Sequence, residues 1–148
     1  MSSFKFFPII LISFFSILVI SCSKDPKPIN FGAEDCDYCK MTISDNRFGA
    51  EIVTKQGRIY KFDDLHCLKG FLDDEVIPKD KVHSTWLVDF TGNGKLISAE
   101  KSFLIRNDEL RSPMGSNIAA FENENDLNNY QSGYSGTELK WEDFLNSK

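Results

Sequence analysis

The pattern Ile59-x-x-Phe62 comes back as Ile118-x-x-Phe121, and each copy is followed by acidic or Asn residues and then a short helix-like stretch. A chain that repeats strand, cap and helix in this order is expected to fold as two related units. In the first copy Phe48, Ala50 and Ile52 alternate with Gly49, Glu51 and Val53, and Gln56-Gly57 turns the chain into Arg58-Ile59-Tyr60-Lys61-Phe62, a hairpin. Asp63 or Asp64 can cap the following helix, whose apolar positions Leu65, Leu68, Phe71 and Leu72 recur at three and four and which stops before Pro78. Residues 85–90 read as a further strand. The second copy runs through a strand over 102–106, a partner over 117–121, a helix over 122–130 and a closing strand over 137–141. The fold class expected is α+β: two similar ββαβ units, about 44–91 and 95–145, joined by the turn Thr91-Gly92-Asn93-Gly94 and packed as one small domain.

Ahead of these units a single basic residue, Lys5, precedes an apolar run over residues 6–20 broken only by Pro8, Ser13 and Ser16. That is the form of a secretory signal, and it is too short for a comfortable membrane span. The run ends Val19-Ile20-Ser21-Cys22, which resembles a lipobox. Residues 1–21 are then a lipoprotein signal peptide, and Cys22 is the lipidated first residue of the mature chain. Ser23 rather than Asp after it points to the outer membrane, facing the periplasm. An ordinary signal peptide or an uncleaved anchor is the alternative. Ser23-Lys24-Asp25-Pro26-Lys27-Pro28 has no apolar periodicity, so residues 22–30 read as a flexible tether and the folded domain as 31–148, beginning near Phe31. About 118 residues remain, enough for one core.

With Lys5 removed, 16 of the 17 basic residues face 22 acidic ones, a net charge of −6 with both His neutral. An acidic chain argues against nucleic acid and against an electrostatic membrane patch, and is compatible with passing on a cation. Beyond Cys22 three cysteines remain, Cys36, Cys39 and Cys67, in a compartment that favours disulfides. Three is odd, so at least one stays a thiol or binds metal.

The segment Cys36-Asp37-Tyr38-Cys39-Lys40-Met41 places two thiols three apart and a thioether two beyond the second, in one loop ahead of the first strand. Thiolates and thioethers are the soft ligands that favour Cu(I) over harder cations. Of three Met in the chain one is the initiator, and the others are Met41 and Met114. A core Met fills gaps in apolar runs, yet Met114 sits in Arg111-Ser112-Pro113-Met114-Gly115-Ser116, a turn-like surface loop. If the two units pack together, both loops can meet and close one site.

Cys36-x-x-Cys39-x-Met41, Phe62-Asp63-Asp64-Leu65, Trp86-x-Val88-Asp89 and residues 112–121 (Ser-Pro-Met-Gly-Ser-Asn-Ile-Ala-Ala-Phe) look, in that order, like the blocks of the NosL family, accessory lipoproteins of nitrous oxide reductase assembly. The resemblance implies a periplasm-facing lipoprotein that binds one Cu(I) and delivers it for the copper centres of nitrous oxide reductase, to the enzyme or to its copper-assembly transporter. It also implies that the ligands are Cys39, Met41 and Met114, with Cys36 a supporting or alternative thiol. This chain departs from the family pattern twice: the usual Gly after the second Cys is Lys40, and the frequent Gly-Cys-Met after the Phe-Asp-Asp block is His66-Cys67-Leu68. Lys40 adds a cation that can lower a thiolate pKa. His66 and Cys67, about 100° apart on a helix, cannot easily serve one ion, and Cys67 reads as a buried small apolar residue. His66 reads as an exposed polar residue, and His83 has no evident partner.

A periplasmic CxxC thiol–disulfide oxidoreductase is the enzymatic rival, but its motif belongs at a helix N-terminus after a strand, not in a loop before a hairpin. A structural zinc site wants four ligands, commonly from two CxxC-like pairs, and only one pair exists. A binding lipoprotein without metal, its CxxC closed as a disulfide, is the third reading. The pairs Asp63-Asp64 and Asp73-Asp74 fall at helix ends, where capping accounts for them, so no enzyme is expected.

Overall fold

The first hairpin pairs β1 (Ala50–Thr54) with β2 (Ile59–Phe62), and its turn closes through the Gly57 N–H donating to the Thr54 carbonyl at 2.9 Å, with Gly57 at φ +80°. The structure is a computed structural model that describes residues 23–147; the expected signal peptide and the expected lipidation site Cys22 lie outside the described residues. Helix α1 (Leu65–Asp73) buries Leu65, Cys67, Leu68, Phe71 and Leu72 on the face toward β1 and β2. Each Leu or Phe so buried contributes roughly 1.5–3 kcal/mol. β3 (Val82–Val88) then returns on the other side of β1, and β4 (Leu96–Ser98) pairs with β3, giving the order β2-β1-β3-β4. Residues from Lys95, expected to open the second unit, therefore complete the first sheet. The Thr91–Gly94 segment turns the chain straight back, with Gly92 and Gly94 both at positive φ, and β3 is the nearest unpaired edge.

The second unit repeats the plan. β5 (Phe103–Arg106) pairs with β6 (Ile118–Phe121), α2 (Glu124–Gln131) crosses, and β7 (Thr137–Leu139) returns beside β5 in the order β6-β5-β7. In both sheets the first hairpin strand is central, flanked by its hairpin partner and by the strand that follows the helix. The expected α+β architecture of two ββαβ units is the one observed. The closing strand, however, ends at Leu139, and Trp141 opens a third helix, α3 (Trp141–Asn146), which buries Trp141 and Phe144 at helical spacing.

Alternation along β5 and β6 divides the core. Leu104, Ile118 and Ala120 join α1, the first sheet and α3 in one large cluster, whereas Ile105, Ala119 and Phe121 face Leu127 of α2. The sheets are linked where Asp89 forms a parallel bridge to Ala120 and the Phe90 N–H donates to the Ala120 carbonyl at 2.8 Å. The other face of β1 is covered by a strap: the Lys27 N–H donates to Glu51 Oε1 at 2.9 Å, Lys61 Nζ donates to the Pro28 carbonyl at 2.9 Å, and Ile29 is buried. Packing thus reaches a little ahead of Phe31. Among the described residues no helix is long and apolar enough to cross a membrane.

Candidate metal centre

The loop bearing Cys36 and Cys39 is built onto the free edge of β2. The Asp37 N–H donates to the Lys61 carbonyl at 2.8 Å and the Lys61 N–H returns to the Asp37 carboxylate at 2.7 Å, so the loop caps an edge that would otherwise stand open. It closes on itself through Cys36 N–H to the Met41 carbonyl at 2.8 Å and Lys40 N–H to the Cys36 carbonyl at 3.0 Å. Tyr38 fixes its tip to α1, donating its hydroxyl to Asp74 at 2.7 Å, with its ring lying over Gly70, where a Cβ would meet ring carbons at 2.6 and 2.7 Å. A mid-helix Gly costs helix propensity, and here close approach is the reason for it.

This docking brings Cys36 and Cys39 against Cys67 of α1, with all three Sγ atoms within 4.8 Å of one another. All three are free thiols; Cys36 and Cys67 are buried and Cys39 is partly exposed. The Cys67 thiol donates toward Cys36, and the backbone N–H groups of Cys39, Asp63 and Tyr38 face the same sulfur, so the Cys36 thiol is held down to about 5 despite burial. Burial raises the Cys39 thiol, while donation to Cys36 pushes the Cys67 thiol strongly up. Asp63, buried beside this cluster, is raised to about 6, first by desolvation and then by the Cys36 and Asp64 charges.

The loop bearing Met114 arrives from the second unit and is anchored to the N-terminus of α1. Asp64, fully buried, accepts at Oδ1 from the His66 and Cys67 N–H groups (2.8 and 3.3 Å) and so caps the helix. Its Oδ2 accepts from the Ser112 hydroxyl (2.7 Å) and from the Met114 and Ser116 N–H groups (3.1 and 3.2 Å). One carboxylate thus touches the backbone of Cys67 and of Met114, and partly buried Met114 packs against the core cluster that contains Cys36 and Cys67. A cluster of three thiols is a donor set suited to a soft metal ion.

The NosL family model matches residues 28–147. This chain belongs to the NosL family. The fold agrees: the crystal structure of the copper chaperone NosL from Shewanella denitrificans superposes with a TM-score of 0.71 over 85% of this chain and 99% of that one, at 19% sequence identity. No curated protein matches the sequence.

Against the NosL pattern, the Gly replaced by Lys40 occupies a left-handed backbone position, φ +65°, where Gly is at ease and Lys is strained. Lys40 is not among the main influences on the thiols. Its Nζ turns back to the Asp37 carbonyl at 2.6 Å, and Cys36 is lowered chiefly by Cys67 and backbone N–H groups. Met41 gives its backbone N–H toward the Cys39 sulfur while its side chain is 50% exposed. Cys67 is buried as expected, but beside two other thiols rather than among apolar groups alone. The geometric reading that separates it from His66 holds, since His66 points outward and is exposed. His83 lies exposed on β3. Cys67 was legible only as an apolar position on α1; the one signal that could have found it is that the buried face of α1 must be covered by something, and the Cys36 loop is the nearest segment without a sheet of its own.

Proposed function

We propose that this NosL-family chain is a lipid-anchored envelope protein, attached through Cys22 and facing the periplasm from the outer membrane, that takes up one Cu(I) and hands it on. The recipient proposed is nitrous oxide reductase of denitrification or its copper-assembly transporter. Binding and hand-over, rather than catalysis, is the activity. The observation that carries this reading is the convergence of three thiols within 4.8 Å beside the anchored Met114 loop. Thiolate and thioether donors favour Cu(I), and the copper chaperone NosL from Shewanella denitrificans aligns with this chain over nearly its full length.

Carried over by motif, the ligands are Cys39, Met41 and Met114, and the geometry adds Cys36 and Cys67 behind Cys39 as thiols that can share the ion. Cys39 is the partly exposed member, so it is where the ion enters and where a partner's thiol or imidazole attacks to remove it. Cys39 must release its proton as copper binds. Burial of the other two thiols keeps water and competing ligands from the inner side.

The oxidoreductase rival finds support in the lowered Cys36 thiol, but that thiol is 0% exposed, and the accessible Cys39 is raised. A thiolate that no substrate disulfide can reach does not initiate exchange.

The test is an anaerobic Cu(I) titration of the reduced domain against a chromophoric chelator. Wild type should bind one ion per chain, Cys39→Ser should abolish binding, and Met114→Ala should weaken it about tenfold, the effect of losing one modest ligand of about 1.4 kcal/mol. A wild-type protein that fails to compete, while turning over a disulfide substrate, would replace the chaperone reading with the redox one.

A further inference from the structure

We propose that Asp64 is the positioning residue that closes the metal site, one carboxylate oxygen fixing the helix that carries Cys67 and the other fixing the loop that carries Met114. The inference rests on the copper reading above and adds to it a residue that is not itself a ligand.

Three observations carry it. First, Asp64 is completely buried, and no Lys, Arg or His forms an ion pair with it among the described residues. A lone buried carboxylate is costly unless hydrogen bonds compensate it, and here five donors do, two on Oδ1 and three on Oδ2. Second, capping alone does not call for a carboxylate. At the equivalent place in the second unit α2 is capped by Asn123, which accepts from the Asp126 N–H at 3.0 Å and has no bond to the other unit. The additional oxygen of Asp64 serves the 112–116 loop. Third, that loop is shaped to present its donors. Arg111, Gly115 and Asn117 all have positive φ, the Asn117 N–H donates to Ser112 Oγ at 2.9 Å, and the Met114 and Ser116 N–H groups converge on Oδ2. Without an acceptor there, two backbone donors point at nothing, and the Met114 loop loses its fastening to the N-terminus of the helix that carries Cys67.

Groups that orient a ligand from behind set metal affinity without touching the ion. Asp64 acts here on the loop backbone rather than on a ligand side chain, so it sets where the thioether stands. It also makes the site conditional on the two units being assembled.

The discriminating variant is Asp64→Ser, because Ser is a good N-cap for α1 but too short to reach the loop. Asp64→Asn serves as a second variant, since either amide orientation sets an NH2 group against N–H donors. In both, far-ultraviolet circular dichroism should show a folded domain, and amide exchange at Met114 and Ser116 should accelerate without copper. Cu(I) affinity should fall by up to about tenfold, no more than in Met114→Ala, and X-ray absorption should show a sulfur ligand lost. In a Met114→Ala background the Asp64 change should cause no further loss. Wild-type affinity in both Asp64 variants would overturn the proposal while leaving the copper reading intact. An equal loss in the Met114→Ala background would also overturn it, by showing that Asp64 acts through the thiols or the fold. Wild type that takes up no Cu(I) would overturn the copper reading itself, and the assignment of Asp64 with it.

Discussion

The two ββαβ units follow one plan and spend it differently. In the first, β1 is buried along its whole length and α1 buries five residues; in the second, β5 is exposed at both ends and α2 buries only Leu127. The first unit, with the loop laid on its edge, holds all three thiols, whereas the second contributes a single loop with a single thioether. The corresponding caps show the contrast at one residue: Asp64 is buried and bonds across to the other unit, while Asn123 is exposed and bonds within its own first turn. A repeated topology therefore does not make a symmetric site. In the site proposed above, one copy supplies the thiols and the other a loop fastened to them through Asp64.

Truncating the two caps should separate them most. Asp64→Ala removes an N-cap and strands buried donors, an expected loss of roughly 3–5 kcal/mol, whereas Asn123→Ala should cost only about 1 kcal/mol. Denaturant unfolding of both variants checks this, and equal losses would erase the distinction drawn between the units. The glycines give a second contrast. Gly70→Ala drives a methyl into the Tyr38 ring and should cost roughly 1–3 kcal/mol and loosen the thiol loop, while Gly133→Ala meets only the Tyr130 carbonyl at 3.9 Å and should stay within about 0.5 kcal/mol of wild type.

A pH series sharpens the same comparison. Because the Cys36 thiol is depressed to about 5 in the folded protein, the reduced metal-free domain carries its stabilising contribution above the ordinary thiol value of about 8.5 and loses it as pH falls through about 5. The thiolate ultraviolet band should persist down to that pH, and Cys67→Ala should move its midpoint upward; a midpoint left unchanged would show that the Cys67 thiol is not the main stabiliser. The smallest effect expected is Lys40→Gly, which relieves a left-handed Lys and should raise stability by up to about 1 kcal/mol, whereas the Met114 loop already carries Gly115 at φ +78°.

Much of this was readable beforehand, and the failures have physical causes. The alternation over 48–54, the three-and-four spacing of Leu65, Leu68, Phe71 and Leu72, and the echo of Ile59-x-x-Phe62 in Ile118-x-x-Phe121 are local patterns, and local patterns suffice for hairpins and helices. Helix α3 escaped because it is six residues long and Lys140 makes no side-chain cap, so Trp141 looked like the end of a strand. β4 changed sheets because a tight turn leaves a short segment beside the strand it has just left. Cys67 escaped for a different reason. Its burial could be foreseen from its place on α1, but what it is buried against depends on a loop laid on the edge of β2, a contact between segments far apart in sequence. Asp64 is the same case, because a helix cap is visible in sequence and a second use of its other oxygen is not.

The strap over β1 limits how far this molecule can wander. The first fastening to the sheet is at Lys27, and Lys61, which holds the Pro28 carbonyl, also binds Glu34 in the segment that leads into Cys36. With the lipid proposed for Cys22, residues 22–26 form the whole leash, no longer than about 18 Å when drawn out at roughly 3.3–3.6 Å per residue. The sulfur cluster is then confined to a thin layer above the lipid headgroups. Its encounters become a search over a surface rather than through a volume, and a recipient must bring its own acceptor groups down to that layer to collect the ion.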